Sequence, residues 1–138
     1  MERFKSVICV DTLFMKDNKV LLMERMNTES DDGYFELPGG HLEENEDLFD
    51  AMIREAKEEL LIDLSRDDLE IVHVMHHYTG LRLNVIFTCE KDIDPKIGEE
   101  DKCSNLIWSD IDNLPINTTD KVKKIIDNIL NNKYYDYM

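Results

Sequence analysis

At 138 residues, with 42% hydrophobic and 34% charged content, the sequence implies a single globular domain over 1–138 with one core's worth of chain. A net charge of −15 argues against binding long nucleic acid, whose phosphate backbone demands a basic surface. Cys9, Cys89 and Cys103 are odd in number and show no C-x-x-C pairing, which suggests neither a disulfide framework nor a zinc site. No apolar run suits a signal peptide or a membrane span, so a cytoplasmic, non-membrane protein is expected.

Phe4 to Phe14 is rich in Val, Ile, Thr and Phe and predicts a strand. Lys16-Asp17-Asn18-Lys19 predicts a turn into a second strand, Val20 to Met23, and hence a hairpin. The polar stretch Asn27 to Gly33 predicts a loop, and Tyr34 to Leu37 a short strand ended by Pro38-Gly39-Gly40. Proline removes a donor there, and the two glycines permit close backbone approach to a ligand.

A helix is expected from an N-cap at Asn45, with Glu46 and Asp47 in its first turn. Leu48, Phe49, Met52, Ile53, Ala56 and Leu60 form its apolar arc, with Asp50, Arg54 and Lys57 on the far side. Glu55, Glu58 and Glu59 are related by i, i+3 and i+4 and share a stripe beside that arc. Like charges so arranged repel by a few tenths of a kcal/mol per exposed pair, roughly. A bound cation would offset that repulsion, and carboxylates suit Mg²⁺, Mn²⁺ or Ca²⁺. The bland alternative is an amphipathic helix with an acidic shoulder. From 43 to 63 there are nine acids and two bases, so this segment alone carries −7.

Leu69 to Met75 and Leu81 to Cys89 predict a second antiparallel hairpin around a break at His76 to Gly80. His73, His76 and His77 read as pocket wall or surface rather than as metal ligands. Glu90 to Asp101 predicts an acidic, irregular loop, and Asn105 to Trp108 a short strand. After Thr118-Thr119-Asp120, the spacing of Val122, Ile125, Ile126, Ile129 and Leu130 predicts a final helix covering the opposite sheet face. Tyr134, Tyr135 and Tyr137 are left to a neighbouring surface or a dimer contact, so monomer and homodimer both stay open.

Gly40, Glu46 and the run Arg54-Glu55-Ala56-Lys57-Glu58-Glu59-Leu60-Leu61-Ile62 resemble the signature of the Nudix (MutT-like) hydrolases, G-x5-E-x7-R-E-U-x-E-E-x-G-U, U being a bulky aliphatic. Every charged position matches. Ala56 stands in for an aliphatic, and Leu61 replaces the family's glycine. Trp108 followed by Asp112-Asn113-Leu114-Pro115 is similar to a second family stretch and extends the resemblance across most of the chain.

The resemblance implies an α/β (α+β) fold, an α/β/α sandwich with a mixed sheet between the motif helix and a C-terminal helix. It implies Mg²⁺-dependent hydrolysis, with Mn²⁺ as substitute, of a nucleoside diphosphate linked to another moiety. Metal ligands would be the Gly40 carbonyl, Glu55, Glu58 and Glu59. Glu55 or Glu58, or a loop carboxylate from Glu99 or Glu100, would accept the proton of the attacking water. Arg54 would orient the glutamates and Glu46 would hold the loop. Arg25 would meet a phosphate, with Glu36 and Asn117 on the base-recognition wall. A short chain with no evident extra N-terminal domain favours a nucleoside triphosphate, such as 8-oxo-dGTP, over ADP-ribose or another nucleotide sugar. The rival readings are a silent Nudix-fold binding module and an acidic Ca²⁺-binding protein, the latter without an EF-hand loop. At Leu61, either the helix runs on toward Asp63 or its last turn is built differently.

Overall fold

The structure, a computed structural model, describes residues 1–28, 31–78 and 81–138. In chain order the described residues form β1 (Val7–Lys16), β2 (Lys19–Arg25), β3 (Phe35–Glu36), β4 (Gly39–His41) and α1 (Leu48–Leu60). There follow β5 (Glu70–His77), β6 (Arg82–Cys89), β7 (Cys103–Asp110), α2 (Asp120–Leu130) and β8 (Tyr135–Tyr137). The mixed sheet runs β3-β2-β1-β6-β5-β8, with β4 also paired to β1 and β7 to β2. Among the described residues no helix is long and apolar enough to cross a membrane.

The β1–β2 hairpin turns through Asp17 and Asn18, both at positive φ (51° and 61°) as a two-residue turn of this hand requires. The two strands pair only at Met15–Val20 and Lys16–Lys19. Beyond that tip they diverge. β1 takes β6 as a parallel neighbour and β4 as an antiparallel one. β2 pairs with β3 and β7 instead. The cleft described below opens where these strands part.

Side chains of a strand alternate between faces, and the core divides accordingly. Val10, Phe14, Leu21, Met23, Val85 and Phe87 pack with Ala51, Met52, Ala56 and Leu60 of α1. Leu13, Val20, Leu22, Met75 and Ile86 pack with Val122, Ile125 and Ile126 of α2. The sheet therefore lies between the two helices, the α/β/α arrangement expected. Truncating a buried Met52 or Leu60 to alanine would cost about 2–5 kcal/mol, more than the ~1 kcal/mol of a helix cap. Packing thus decides where α1 lies, and capping decides where it begins.

That beginning differs from expectation. The N-cap is Asp47, not Asn45; its carboxylate accepts from the Asp50 N–H, and the Asp50 side chain returns the bond to the Asp47 N–H. Asn45 sits at φ 66° in the preceding turn, leaving Glu46 outside the helix. At the other end, α1 neither runs on nor rebuilds its last turn. Leu61 adopts the left-handed conformation (φ 55°, ψ 37°) and donates its N–H to the Lys57 carbonyl. Leucine thus occupies the backbone geometry that favours glycine.

Smaller differences concern strand ends. β1 starts at Val7 and runs to Lys16, β7 spans Cys103 to Asp110, and the predicted turn at Gly39-Gly40 is a short strand pinned to β1. His76 and His77 belong to β5 rather than to a break. The predicted loop at Asn27 to Gly33 and the break at His76 to Gly80 include Glu29, Ser30, Thr79 and Gly80, which lie outside the described residues. Tyr135–Tyr137 forms an edge strand parallel to β5, a pairing no local sequence pattern announced.

Candidate active site

A cleft of about 400 Å³ lies between the diverging strands and α1. β1 contributes Cys9 and Asp11, β2 contributes Glu24 and Arg25, and Gly39 and Gly40 come from β4. Glu55 and Glu59 enter from α1, Arg82 and Asn84 from β6, and Glu99 and Lys102 from the following loop. Glu36 and Lys121 also line it. A second depression of about 690 Å³ adjoins it through Arg25, Glu36, Arg82 and Lys121, and extends along Thr118 to Lys121 at the start of α2.

The acid stripe of α1 is split by its surroundings. Ala51, Glu55 and Glu59 follow one another at i+4 spacing; Ala51 is buried and both glutamates face the cleft. Glu58 lies one position around the helix, half-exposed and outside the cleft lining, with Oε2 3.4 Å from Arg54. Glu59 accepts the Gly39 N–H at 2.9 Å, and among the described residues no basic side chain pairs with it. Gly40 packs directly against the Glu55 carboxylate, leaving no room for a Cβ. Backbone and acids are therefore in contact by construction.

Arg54 holds this corner from behind. It donates to Glu46 through Nε and Nη2 (3.1 and 2.8 Å), to Glu55 through Nη1 (2.8 Å) and to the His41 carbonyl through Nη2 (3.0 Å). Glu46 also accepts the Glu43 N–H at 2.8 Å, tying the turn before α1 to the same arginine. The Arg54 hydrogen bonds hold the Glu46 carboxyl below its usual range. Glu55 is pushed up by burial, partly countered by Arg54. Burial pushes Glu59 well above the ordinary carboxylate value, and the charge of Glu55 adds to it.

The acidic loop is anchored rather than free. Lys96 N–H donates to the Leu60 carbonyl (2.9 Å) and Gly98 N–H to the Glu59 carbonyl (2.8 Å), meeting two carbonyls that the helix end leaves unpartnered. Gly98 approaches the Glu58 carbonyl so closely that a Cβ would collide with it, and the Leu61 side chain packs alongside. This docking delivers Glu99 to the cleft, 3.4 Å from Lys102, while its neighbour Glu100 stays exposed and off the lining.

Two further expectations fall elsewhere. Asn117 donates to the Gly33 carbonyl at 2.7 Å and lines neither depression, so it braces the chain before β3. His73 is buried, with Nδ1 on the Lys133 carbonyl, and His76 meets the Tyr137 ring edge-to-face. Neither reaches the acids. Arg25 and Glu36 do line the cleft, with Lys121 4.0 Å from Glu36.

Asp11, Asn84, Arg82, Lys121 and Lys102 were not anticipated. Apart from Arg82 and Asn84, neighbours on β6, they lie far apart in sequence, so no local spacing could have joined them. An acidic residue inside the otherwise apolar β1 run was the one available signal. Asp11 is held above its usual value by burial, countered by Lys121 and by the Asn84 hydrogen bond.

Among the described residues no three acidic, histidine or cysteine side chains are already closed into a coordination shell. The donors do fit a hard divalent cation. Glu55, Glu59 and Glu99 offer only oxygen, two of them mutually repelling and partly buried, and among the described residues Glu59 has no cationic partner of its own.

Solved structures of other proteins share this architecture. The chain is similar to the MutT Nudix hydrolase structure of Burkholderia pseudomallei (TM-score 0.80, 23% identity, 90% of this chain and 98% of that one). It also resembles a MutT protein from Methanosarcina mazei (TM-score 0.79, 18% identity, 95% and 97%). In sequence it is 31% identical over 87 residues to the 8-oxo-dGTP diphosphatase of Proteus vulgaris, covering 63% of this chain and 77% of that protein. It is 46% identical over 52 residues to the ADP-ribose pyrophosphatase of Methanocaldococcus jannaschii, a match to 38% of this chain and only 30% of that protein's length. The NUDIX domain model matches residues 3–129, and the chain belongs to the Nudix family.

Proposed function

We propose that the chain is a divalent-cation-dependent pyrophosphohydrolase acting on a nucleoside diphosphate derivative, with a nucleoside triphosphate, normal or oxidised, as its substrate. The observation that carries this reading is the meeting of Glu55, Glu59, Glu99 and the Gly39–Gly40 backbone in one cleft beside Arg25, Arg82, Lys102 and Lys121. The acids suit cations, and the bases suit phosphate oxygens that the cations leave free.

Gly40, Glu55, Glu58 and Glu59 would hold Mg²⁺, or Mn²⁺ in its place, with Glu58 reaching in from the rim and Glu99 as an added ligand. Such an ion polarises phosphorus, offsets developing charge and acidifies bound water. Water attacks a phosphorus of the anhydride, the P–O bond to the leaving phosphate breaks, and a cleft carboxylate accepts the water's proton. Glu55 and Glu99 are the carboxylates best placed for that last role. Arg25 orients a phosphate, and Glu36 stands on the wall where the base would lie.

ADP-ribose is a second reading, favoured by the 46% identity to the archaeal pyrophosphatase across 52 residues. Chromatographic separation of products from a panel of NTPs, 8-oxo-dGTP, ADP-ribose and dinucleoside polyphosphates tests the choice. A nucleoside monophosphate plus pyrophosphate is expected from a triphosphate in the presence of Mg²⁺. Cleavage confined to ADP-ribose would select the second reading, and no cleavage of any member would contradict both.

A further inference from the structure

We propose that Gly98 is a positioning residue. Seated on the carbonyl end of α1, it sets where Glu99 stands in the cleft, so that β4, α1 and the 90–101 loop present their oxygens to a cation as one unit. The proposal rests on the reading above only in taking Glu99 as a cation ligand.

Glu59 is the joint of that unit. Its carboxylate accepts the Gly39 N–H at 2.9 Å, and its main-chain carbonyl accepts the Gly98 N–H at 2.8 Å. One helical residue therefore grips β4 with its side chain and the loop with its backbone. The Lys96 N–H adds a second loop bond, to the Leu60 carbonyl at 2.9 Å. Ile93 and Ile97 pack against the core on the α1 side of the sheet, which holds the approach to Gly98.

Closing a helix end needs only N–H donors, which any residue but proline supplies. Position 98 demands more. Gly98 does not adopt positive φ, so conformational freedom is not what calls for glycine. Space is. A Cβ there would collide with the Glu58 carbonyl oxygen and stand 3.2 Å from Leu61 Cδ2. Loop backbone thus rests directly on helix backbone, with no flexible side chain between them.

The next residue carries the carboxylate. Its own carbonyl accepts the Lys102 and Cys103 N–H groups at 3.0 and 3.1 Å, and Cys103 pairs with Arg25 of β2. Glu99 is therefore tied to α1 on one side and to the start of β7 on the other. It lines the cleft, near enough to Glu55 and Glu59 for its charge to help raise both carboxyls. A ligand set ordered in advance loses little freedom on binding, and a misplacement of about 1 Å can cost about a hundredfold in rate.

The test is Mn²⁺ binding by the full chain without substrate, followed by electron paramagnetic resonance. It compares the wild type, Gly98→Ala, Glu99→Gln and the double variant, each checked for folding by circular dichroism. Each single variant is expected to weaken binding about tenfold, and the double variant to stay within about twofold of Glu99→Gln alone. A purely structural role for Gly98 would not produce that non-additivity. Losses that multiply in the double variant, or an unchanged affinity in either single variant, overturn the proposal. Amide exchange on the wild type decides the matter if Gly98→Ala fails to fold. The Lys96 and Gly98 amides are expected to be protected like those of the last turn of α1, and free exchange of either overturns the seat. Because binding needs no turnover, a nucleotide panel left uncleaved would refute the enzymatic reading alone, and multiplying losses would refute the role of Gly98 alone.

Discussion

Glu55, Glu58 and Glu59 are equivalent in spacing but not in surroundings. Glu59 accepts a backbone N–H from Gly39 and has no basic partner among the described residues, Glu55 is shared between Gly40 and Arg54, and Glu58 stands half-exposed at the rim. Glu59→Gln should therefore lower kcat/KM on the order of a hundredfold or more with little change in melting temperature, since the amide keeps the shape. Glu58→Gln should cost less. Steady-state kinetics beside thermal melts checks both. The spacing of these acids was legible in the sequence because a helix converts i, i+3 and i+4 into proximity. Their inequality was not, because it depends on what β4 and the 90–101 loop bring against each one.

α1 is held by its two ends as well as by its buried face. At its start, Asp47 caps the helix and meets Arg66 at 2.9 Å. The Arg66 hydrogen bonds, followed by that of the Asp50 N–H, lower the Asp47 carboxyl from 3.8 to about 2. A folded-state value below the unfolded one stabilises the fold above pH 3.8, and the contribution is lost as pH falls from there toward about 2. The melting-temperature gap between wild type and Asp47→Asn should accordingly be constant above about pH 5 and shrink through that window. A gap that did not change with pH would show that the Asp47 charge does not stabilise the helix start.

At the far end, Leu61 bears a left-handed backbone that disfavours a Cβ by about 1–2 kcal/mol. Leu61→Gly and Leu61→Ala both lose the side-chain contact to Gly98, but only glycine relieves the backbone. Glycine should be the more stable of the two by about 1 kcal/mol in denaturant melts. The signature's missing glycine announced an irregularity here. Its resolution, a leucine braced by the docked loop, needed the packing of Gly98 against the Glu58 carbonyl.

Over the whole molecule, periodicity marked the apolar face of each helix, the family resemblance implied a mixed sheet between them, and the Asp17-Asn18 hairpin followed from local turn chemistry. The cleft did not follow. It exists because β1 and β2 part after two residue pairs, and it draws Asp11, Asn84, Arg82 and Lys121 from three distant segments. β8 likewise depends on where α2 sets down the chain, not on the composition of Tyr135–Tyr137.

A domain of net charge −15 with carboxylates gathered in one cleft should also respond globally to divalent cations. At a concentration one hundred times its Kd, a cation binding only the folded state adds about 2.7 kcal/mol. Mg²⁺ should raise the melting temperature of the wild type, and Glu55→Gln or Glu59→Gln should reduce that rise. An equal rise in all three would locate the cation elsewhere.

In the function proposed above, these carboxylates serve a metal-dependent cleavage of a nucleotide anhydride. Its most direct test is release of nucleoside monophosphate from a nucleoside triphosphate by the wild type and Glu59→Gln, each with Mg²⁺ and each with EDTA. Turnover is expected for the wild type with Mg²⁺, at least about a hundredfold less for Glu59→Gln, and none for either protein in EDTA. Full activity in EDTA, or a Glu59→Gln protein as active as the wild type, would contradict it.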